Sequence, residues 1–511
     1  MLKSWRWQDY AQDGLFLCGL TLSAAFLAGA PVMRTARVLS VLAAAVALAA
    51  ALSHPPDAAP ARRSAARVRL LMGLLVAVWT LVVLRPLTGI VLGTNGIDFA
   101  IFSQAISSIA HEGVPWVSLI TPHGRVNFLT HHLVPYLYLP GALAAMGVHP
   151  AIAGIAVHAV GLAMCFVALW VAFRWLGLNP VLAGILTCAA ALSPSLRLGY
   201  AWTMNDEMYG APFVVLGVCL WLRGSYRSSA LAFAVSCACK ESFSAVALVF
   251  AVMAYVSHAE FRPEAEWAEA RKSYLALGLL SGLILLGYFF LQPLLWHKGF
   301  DHANKLASVH ELLDAHSLQG KLKFLLWILL PTLGLPLLSV RGRRLLWLAA
   351  PGVVFSLVSR FEPMWAPNNY YCVTPVLVSF LAAAASWPVL ERRFSGRTLA
   401  AGVVVLWMEG LSSSPQGLRR SVTEGLRQPW LRSALLSWAP KDAVIAADPA
   451  AALFLLDRPN LRRLWSISRE VPPSPVDVVV WKPSGYEEPP ELFLSGFHPC
   501  HPDSLWNIEC P

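Results

Sequence analysis

Ser229–Ser257 reads SALAFAVSCACKESFSAVALVFAVMAYVS, an apolar run with Lys240 and Glu241 near its middle. As one unbroken helix it would carry both charges to the centre of a bilayer, at a cost of about 2.5–3.5 kcal/mol each. It would also turn the later arginine clusters outward: Arg341, Arg343 and Arg344, then Arg392, Arg393 and Arg397. Arginine-rich short loops belong on the cytoplasmic side. Two half-spans joined by a turn at Lys240–Glu241 remove both conflicts, and broken helices are tolerated where they line a cavity. The turn is therefore expected on the outer side, dipping into the bilayer.

Composition requires that bilayer. The 511 residues are 57% hydrophobic and 13% charged, against about 25% charged in soluble domains. The net charge of +10 comes largely from short arginine clusters between apolar runs. That pattern orients a membrane protein and provides no groove-shaped basic face for nucleic acid.

Working outward from the break, apolar runs near the 17–25 residues a span needs fall at about 14–33, 37–53, 68–92, 150–173 and 179–197. A further run descends from Asn205–Glu207 to Arg223. Others follow at about 273–293, 321–340, 345–359, 371–390 and 398–412. The expected fold is an all-α polytopic membrane protein of about 13 transmembrane helices, N-terminus in the cytoplasm and C-terminus outside. Residues 1–67 form a transmembrane hairpin and cytoplasmic loop, and 68–412 the main transmembrane domain, with a large first outer loop at 94–149. Residues 413–511 hold a helical pattern at 419–438, a strand-like AVIAAD and DVVVWKP. That alternation suggests a small extracytoplasmic α/β domain.

Nine cysteines show no metal-type spacing, and most lie in apolar segments as small hydrophobes. Cys500 and Cys510 sit in the polar tail and could bridge outside the cytoplasm. The first apolar run, from about Gly14, has no clear cleavage site and is followed by further spans, so no signal peptide is expected.

The first outer loop contains Gly96–His132, GIDFAIFSQAISSIAHEGVPWVSLITPHGRVNFLTHH. Phe99, Phe102, Ile106 and Ile109 fall at helical spacing, suggesting a helix over 98–111 lying on the membrane. The outer face gathers Asp98, Arg125, His131 and His132 from this loop, then Asp206 and Glu207, then Lys240 and Glu241. A carboxylate beside a lipid-lined cavity can serve as a general base. A lysine at a helix break can hold a phosphate as a point charge. Each has a structural alternative: Asp98, Asp206 and Glu207 as helix caps, Lys240–Glu241 as an ion pair inside the bundle, the histidines as interfacial anchors. Trp202, Trp365, Tyr370 and Tyr371 read as an interfacial aromatic belt.

The run Asp98-Phe99-Ala100-Ile101-Phe102-Ser103-Gln104-Ala105-Ile106, with Gly113 and His131 or His132 after it, resembles an uncharacterised family of bacterial multi-pass membrane proteins, a domain of unknown function. Lys240-Glu241 in its apolar segment and Pro440-Lys441-Asp442-Ala443-Val444-Ile445-Ala446-Ala447-Asp448 resemble it too, over about residues 75–485. That family is grouped with the GT-C superfamily of integral-membrane glycosyltransferases, which includes lipid A aminoarabinose transferases and protein mannosyltransferases.

The resemblance implies a GT-C-like enzyme of the bacterial inner membrane. Its donor would be a polyprenyl-phosphate-linked sugar, and its acceptor an extracytoplasmic glycan, lipid or protein. Asp98 matches the catalytic acid of the first outer loop, and Asp206 a second acid before a descending helix. Lys240-Glu241 resembles the Lys-Gly of aminoarabinose transferases. Lys240 would meet the lipid phosphate, with Arg125 or His132 assisting. Asp206 or Glu207 would orient the acceptor or hold a divalent ion. The chain departs from the pattern where Ile97 and Phe99 flank Asp98 without a second acid. It departs again where Asn205 and Asn369 stand in place of histidines, which weakens any metal site. A transporter or flippase, or a non-catalytic membrane scaffold, would also place charges at broken helices.

Overall fold

The computed structural model describes residues 97–291 and 314–393 with short gaps, parts of 68–83, and the strands of a sheet between 443 and 510. The spans expected at 14–33, 37–53 and 398–412, the helix expected at 419–438, Asn369 and Cys500 lie outside the described residues.

Eight helices of eight residues or more lead through the first described stretch: α1 (Ile97–Glu112), α2 (Tyr138–Ala145), α3 (Pro150–Trp175), α4 (Pro180–Leu192), α5 (Asp206–Leu222), α6 (Tyr226–Cys237), α7 (Ser242–Val256) and α8 (Trp267–Leu286). The second holds α9 (Ala315–Leu329), α10 (Val340–Leu346), α11 (Ala350–Val358) and α12 (Val373–Arg393). Pro150 and Pro180 open α3 and α4, where a missing N–H costs nothing. Asn179 caps α4, its side chain accepting from the Leu182 N–H at 2.9 Å.

Helix α3 and the helical run 264–290 are long and apolar enough to cross a bilayer, with mean hydropathies of 2.3 and 1.8. Leu275, Leu279, Leu283 and Leu286 are exposed along one stripe of α8. A contiguous apolar stripe turned away from the core suits lipid rather than water.

The apolar run 229–257 is broken where the charge pattern requires: α6 stops at Cys237 and α7 starts at Ser242. Polar contacts show which segments share the opposite end of the bundle. There Arg262 donates to the Leu222 carbonyl at 3.0 Å and pairs with Glu266 at 2.7 Å. Tyr226 also bonds Glu266. The α10 arginines join them, Arg344 reaching Glu260 at 3.5 Å and Arg341 standing over the Phe261 ring. Arg223, Arg262 and the α10 cluster thus lie together, away from Lys240. At about 18 Å, α6 is shorter than the roughly 30 Å hydrocarbon core of a bilayer.

Three expectations shift. The apolar face of α1 is not laid on a membrane: Phe99, Phe102, Ile106 and Ile109 are buried in a protein core. The run expected at 321–340 is α9, which starts earlier, at Ala315, and is bounded at Leu329. The run at 345–359 is divided into α10, a 3₁₀ turn at Trp347–Ala349, and α11.

The first loop holds a short antiparallel pair, β1 (Trp116–Val117) and β2 (Val126–Asn127). Near the C-terminus, β3 (Ile445–Ala447), β4 (Leu461–Arg463), β5 (Val478–Trp481), β6 (His498–Pro499) and β7 (Asn507–Cys510) form a mixed sheet in the order β4-β3-β5-β7-β6. β3 pairs parallel with both β4 and β5, and β7 runs antiparallel to β5 and β6. Ile445, Ala447, Leu461 and Val478 share one apolar cluster with the buried face of α1. The sheet therefore covers the surface that would otherwise need lipid. A polar seam joins the two bodies. Gln104 of α1 accepts from the Ser118 N–H at 2.9 Å and donates to the Ser118 hydroxyl at 2.8 Å, and that hydroxyl donates to the Leu461 carbonyl.

Candidate active site

Asn205 starts α5 by accepting from the Met208 N–H at 3.1 Å, after Met204 takes a left-handed φ of 62°. A non-glycine residue in that region is uncommon and strained. Asp206 and Glu207 then occupy the first turn, where the helix dipole favours anions.

Two glycines bring the Lys240 turn onto that turn. A Cβ at Gly210 would lie 2.1 Å from the Phe243 ring, and one at Gly217 would lie 2.6 Å from Phe233. Small residues let helices approach closely, so α6 and α7 press against α5, and the chain between them lands beside Asp206. Lys240 Nζ is 3.1 Å from Asp206 Oδ1 and 3.5 Å from Glu207 Oε1. Helix α12 closes the other side. Thr374 donates to Glu207 at 3.2 Å, and the Tyr371 ring lies 5.1 Å from the ammonium.

The first loop supplies the rest. His132 Nδ1 is 3.1 Å from Glu241 Oε1. Burial alone would lower the His132 pKa, but the Glu241 carboxylate outweighs it and holds the imidazole above its ordinary 6.5. Tyr136 donates its backbone N–H to Ala238 at 3.1 Å and packs its ring on Tyr209. These contacts fasten the loop to the helix break.

Together these groups form the polar side of a cavity of about 470 Å³. His132, Glu207, Lys240 and Glu241 line one side, and Val246, Phe289 and Phe355 are among the apolar walls. Asp206 lies behind Lys240, outside the lining. The site therefore offers a charged head position and a greasy trough.

Asp206, Glu207, Lys240, Glu241 and His132 thus meet. The other expected residues are placed differently. Asp98 is in the first turn of α1, half-buried, one turn before Phe102. The Phe102 ring meets Phe128 edge-on at 5.3 Å, and Phe128 meets the His132 imidazole at 5.8 Å. The ring contacts join Phe102, one turn after Asp98, to His132, and Asp98 itself is outside the cavity lining. Arg125 sits by the far end of α1, bonded to Glu112 and over Trp116. The hydrogen bond from Arg125 holds Glu112 below the ordinary carboxylate range. His131 offers its carbonyl to the Tyr288 hydroxyl at 3.3 Å. Tyr371, expected in an interfacial belt, instead faces Lys240, and Thr374 was signalled by nothing in the sequence.

For a metal, the donors do not fit. Asp206 and Glu207 converge on an ammonium, and among the described residues no group of three or more His, Cys, Asp or Glu could hold an ion.

Among solved structures, the chain matches ArnT from Cupriavidus metallidurans bound to undecaprenyl phosphate, with a TM-score of 0.50 at 14% identity. The fold resembles that of ArnT. The match covers 86% of this chain and 97% of the ArnT chain. ArnT from the same organism in the apo state matches over the same shares, with a TM-score of 0.51 at 15% identity. No family model and no curated relative matches the chain. The ArnT likeness thus spans most of both chains and concerns architecture.

Proposed function

We propose that this chain is a GT-C-type glycosyltransferase of the bacterial inner membrane that uses a polyprenyl-phosphate-linked sugar. The observation that carries the reading is the two-sided cavity, with Lys240 at its charged side and apolar walls beyond. An anionic lipid headgroup with an isoprenoid tail has that same division. The ArnT fold supports it, since one of the matched ArnT structures holds undecaprenyl phosphate.

In this reaction the acceptor hydroxyl attacks the anomeric carbon as Asp98 takes its proton. The new C–O bond forms while the bond from the anomeric carbon to the phosphate oxygen breaks. The bonding pair leaves with the polyprenyl phosphate, whose growing charge Lys240 stabilises. His132, held toward its cationic form by Glu241, adds positive charge on the same side. Asp206 and Glu207 orient the acceptor. Arg125 and His131 belong to the loop that frames the site. The first outer loop and the C-terminal sheet are read as periplasmic, and the basic end of the bundle as cytoplasmic.

Purified protein incubated with a radiolabelled polyprenyl-phosphate sugar and an extracytoplasmic glycan or lipid fraction as acceptor should consume the donor and pass the label to that fraction. Asp98→Asn should abolish consumption while the protein stays monodisperse. Full turnover by that variant would refute the assignment.

A further inference from the structure

Lys240 is already engaged, because Asp206 and Glu207 both reach its ammonium. Glu241 adds a third carboxylate, bonded to His132. A lipid phosphate approaching that set must compete with Asp206 and Glu207 for the cation it needs.

We propose that Asp206 and Glu207 hold Lys240 in reserve and surrender it when the phosphate arrives, so that donor binding itself frees a carboxylate for the acceptor. This rests on the lipid-phosphate reading above. Geometry favours the exchange. Asp206, the closer partner, lies behind the cavity wall, while Lys240 is part of it. The ammonium therefore turns outward on a flexible four-carbon stem to reach the cavity. The acids keep other support once it leaves. Glu207 retains the Thr374 hydroxyl, and Asp206 Oδ1 retains the Glu207 N–H at 3.1 Å. Both also keep the N-terminal dipole of α5, a 17-residue helix.

The exchange orders the reaction. Without donor, the acids are neutralised and cannot engage a hydroxyl. With donor seated, the ammonium is bound to the phosphate instead of the acids, and an acid can turn to the acceptor.

The test is the affinity of undecaprenyl phosphate for the full chain in detergent, followed by tryptophan fluorescence. Asp206→Asn combined with Glu207→Gln should bind about tenfold more tightly than the parent, since a competing charge within contact distance is worth about one decade. Adding Lys240→Gln to that neutralised background should weaken binding at least about tenfold, without leaving a buried acid unpaired. If the double variant binds equally or more weakly while Lys240→Gln still weakens it, the acids present Lys240 to the phosphate and the exchange is wrong. If Lys240→Gln changes nothing, the lipid-phosphate reading falls and takes the exchange with it. Should the double variant not fold, Glu207→Gln alone is expected to bind a few-fold more tightly, and unchanged or weaker binding overturns the proposal.

Discussion

The Lys240 ammonium lies 3.1 Å from the Asp206 carboxylate, although 34 residues and a reversal of chain direction separate them. Both are buried. The pair depends on helix α6 folding back along α5 and on the chain reversing again between α6 and α7. Its partners are mutually dependent, since breaking a buried pair by removing one side leaves an uncompensated charge.

Removing the cation alone should therefore be costly. Lys240→Met leaves two buried acids facing each other and is expected to destabilise the fold by about 3–5 kcal/mol. Asp206→Asn with Glu207→Gln in the same chain should restore most of that loss. Melting temperatures of the single and triple variants in one detergent decide it.

Close approach of α5 and α7 sets the position of the Lys240 turn. Gly210→Ala would drive a methyl into the buried Phe243 ring, three residues after Lys240. Overpacking of that kind costs about 1–3 kcal/mol. Transfer activity should fall, and Phe243→Leu in the same chain should recover part of it. An unchanged melting temperature and activity for Gly210→Ala would contradict this packing.

The seam between α1 and the C-terminal sheet is polar and buried. Gln104→Ala leaves the Ser118 N–H and hydroxyl without that partner, a loss of about 1–3 kcal/mol. Limited proteolysis should then cut between residues 443 and 510 faster than in the parent. Cleavage at the parent rate would mean that the sheet does not depend on this contact.

A pH effect follows from His132. Its folded pKa lies above the ordinary 6.5, so the pair with Glu241 contributes fully below that pH. The contribution is lost as pH rises through the raised folded value. The difference in melting temperature between the parent and His132→Gln should be largest at low pH and shrink in alkaline buffer. A difference independent of pH would show that His132 acts as a neutral hydrogen-bonding group.

The sequence allowed parts of this to be read because some signals are local. Arginine spacing located the break at Lys240–Glu241, and the apolar runs at about 150–173 and 179–197 located α3 and α4. Other features depend on what the chain meets after folding. The stripe on α1 has the spacing of a membrane-surface helix, and only the sheet from the far end of the chain makes it a core. Tyr371 looks like any interfacial aromatic until α12 sets it over Lys240. The bounds of α9, Ala315–Leu329, differ from the 321–340 run because an apolar run does not reveal where its helix starts and stops. Asp206 and Glu207 could be read as caps or as site residues, and they are in the first turn of α5 as well as against Lys240.

A structure of the protein with undecaprenyl phosphate bound would test the central claim most directly. The account predicts phosphate oxygens within hydrogen-bonding reach of Lys240 Nζ, with the isoprenoid running between Val246, Phe289 and Phe355. Phosphate density beside the α10 arginines at the opposite end of the bundle, with the cavity at Lys240 vacant, would contradict it.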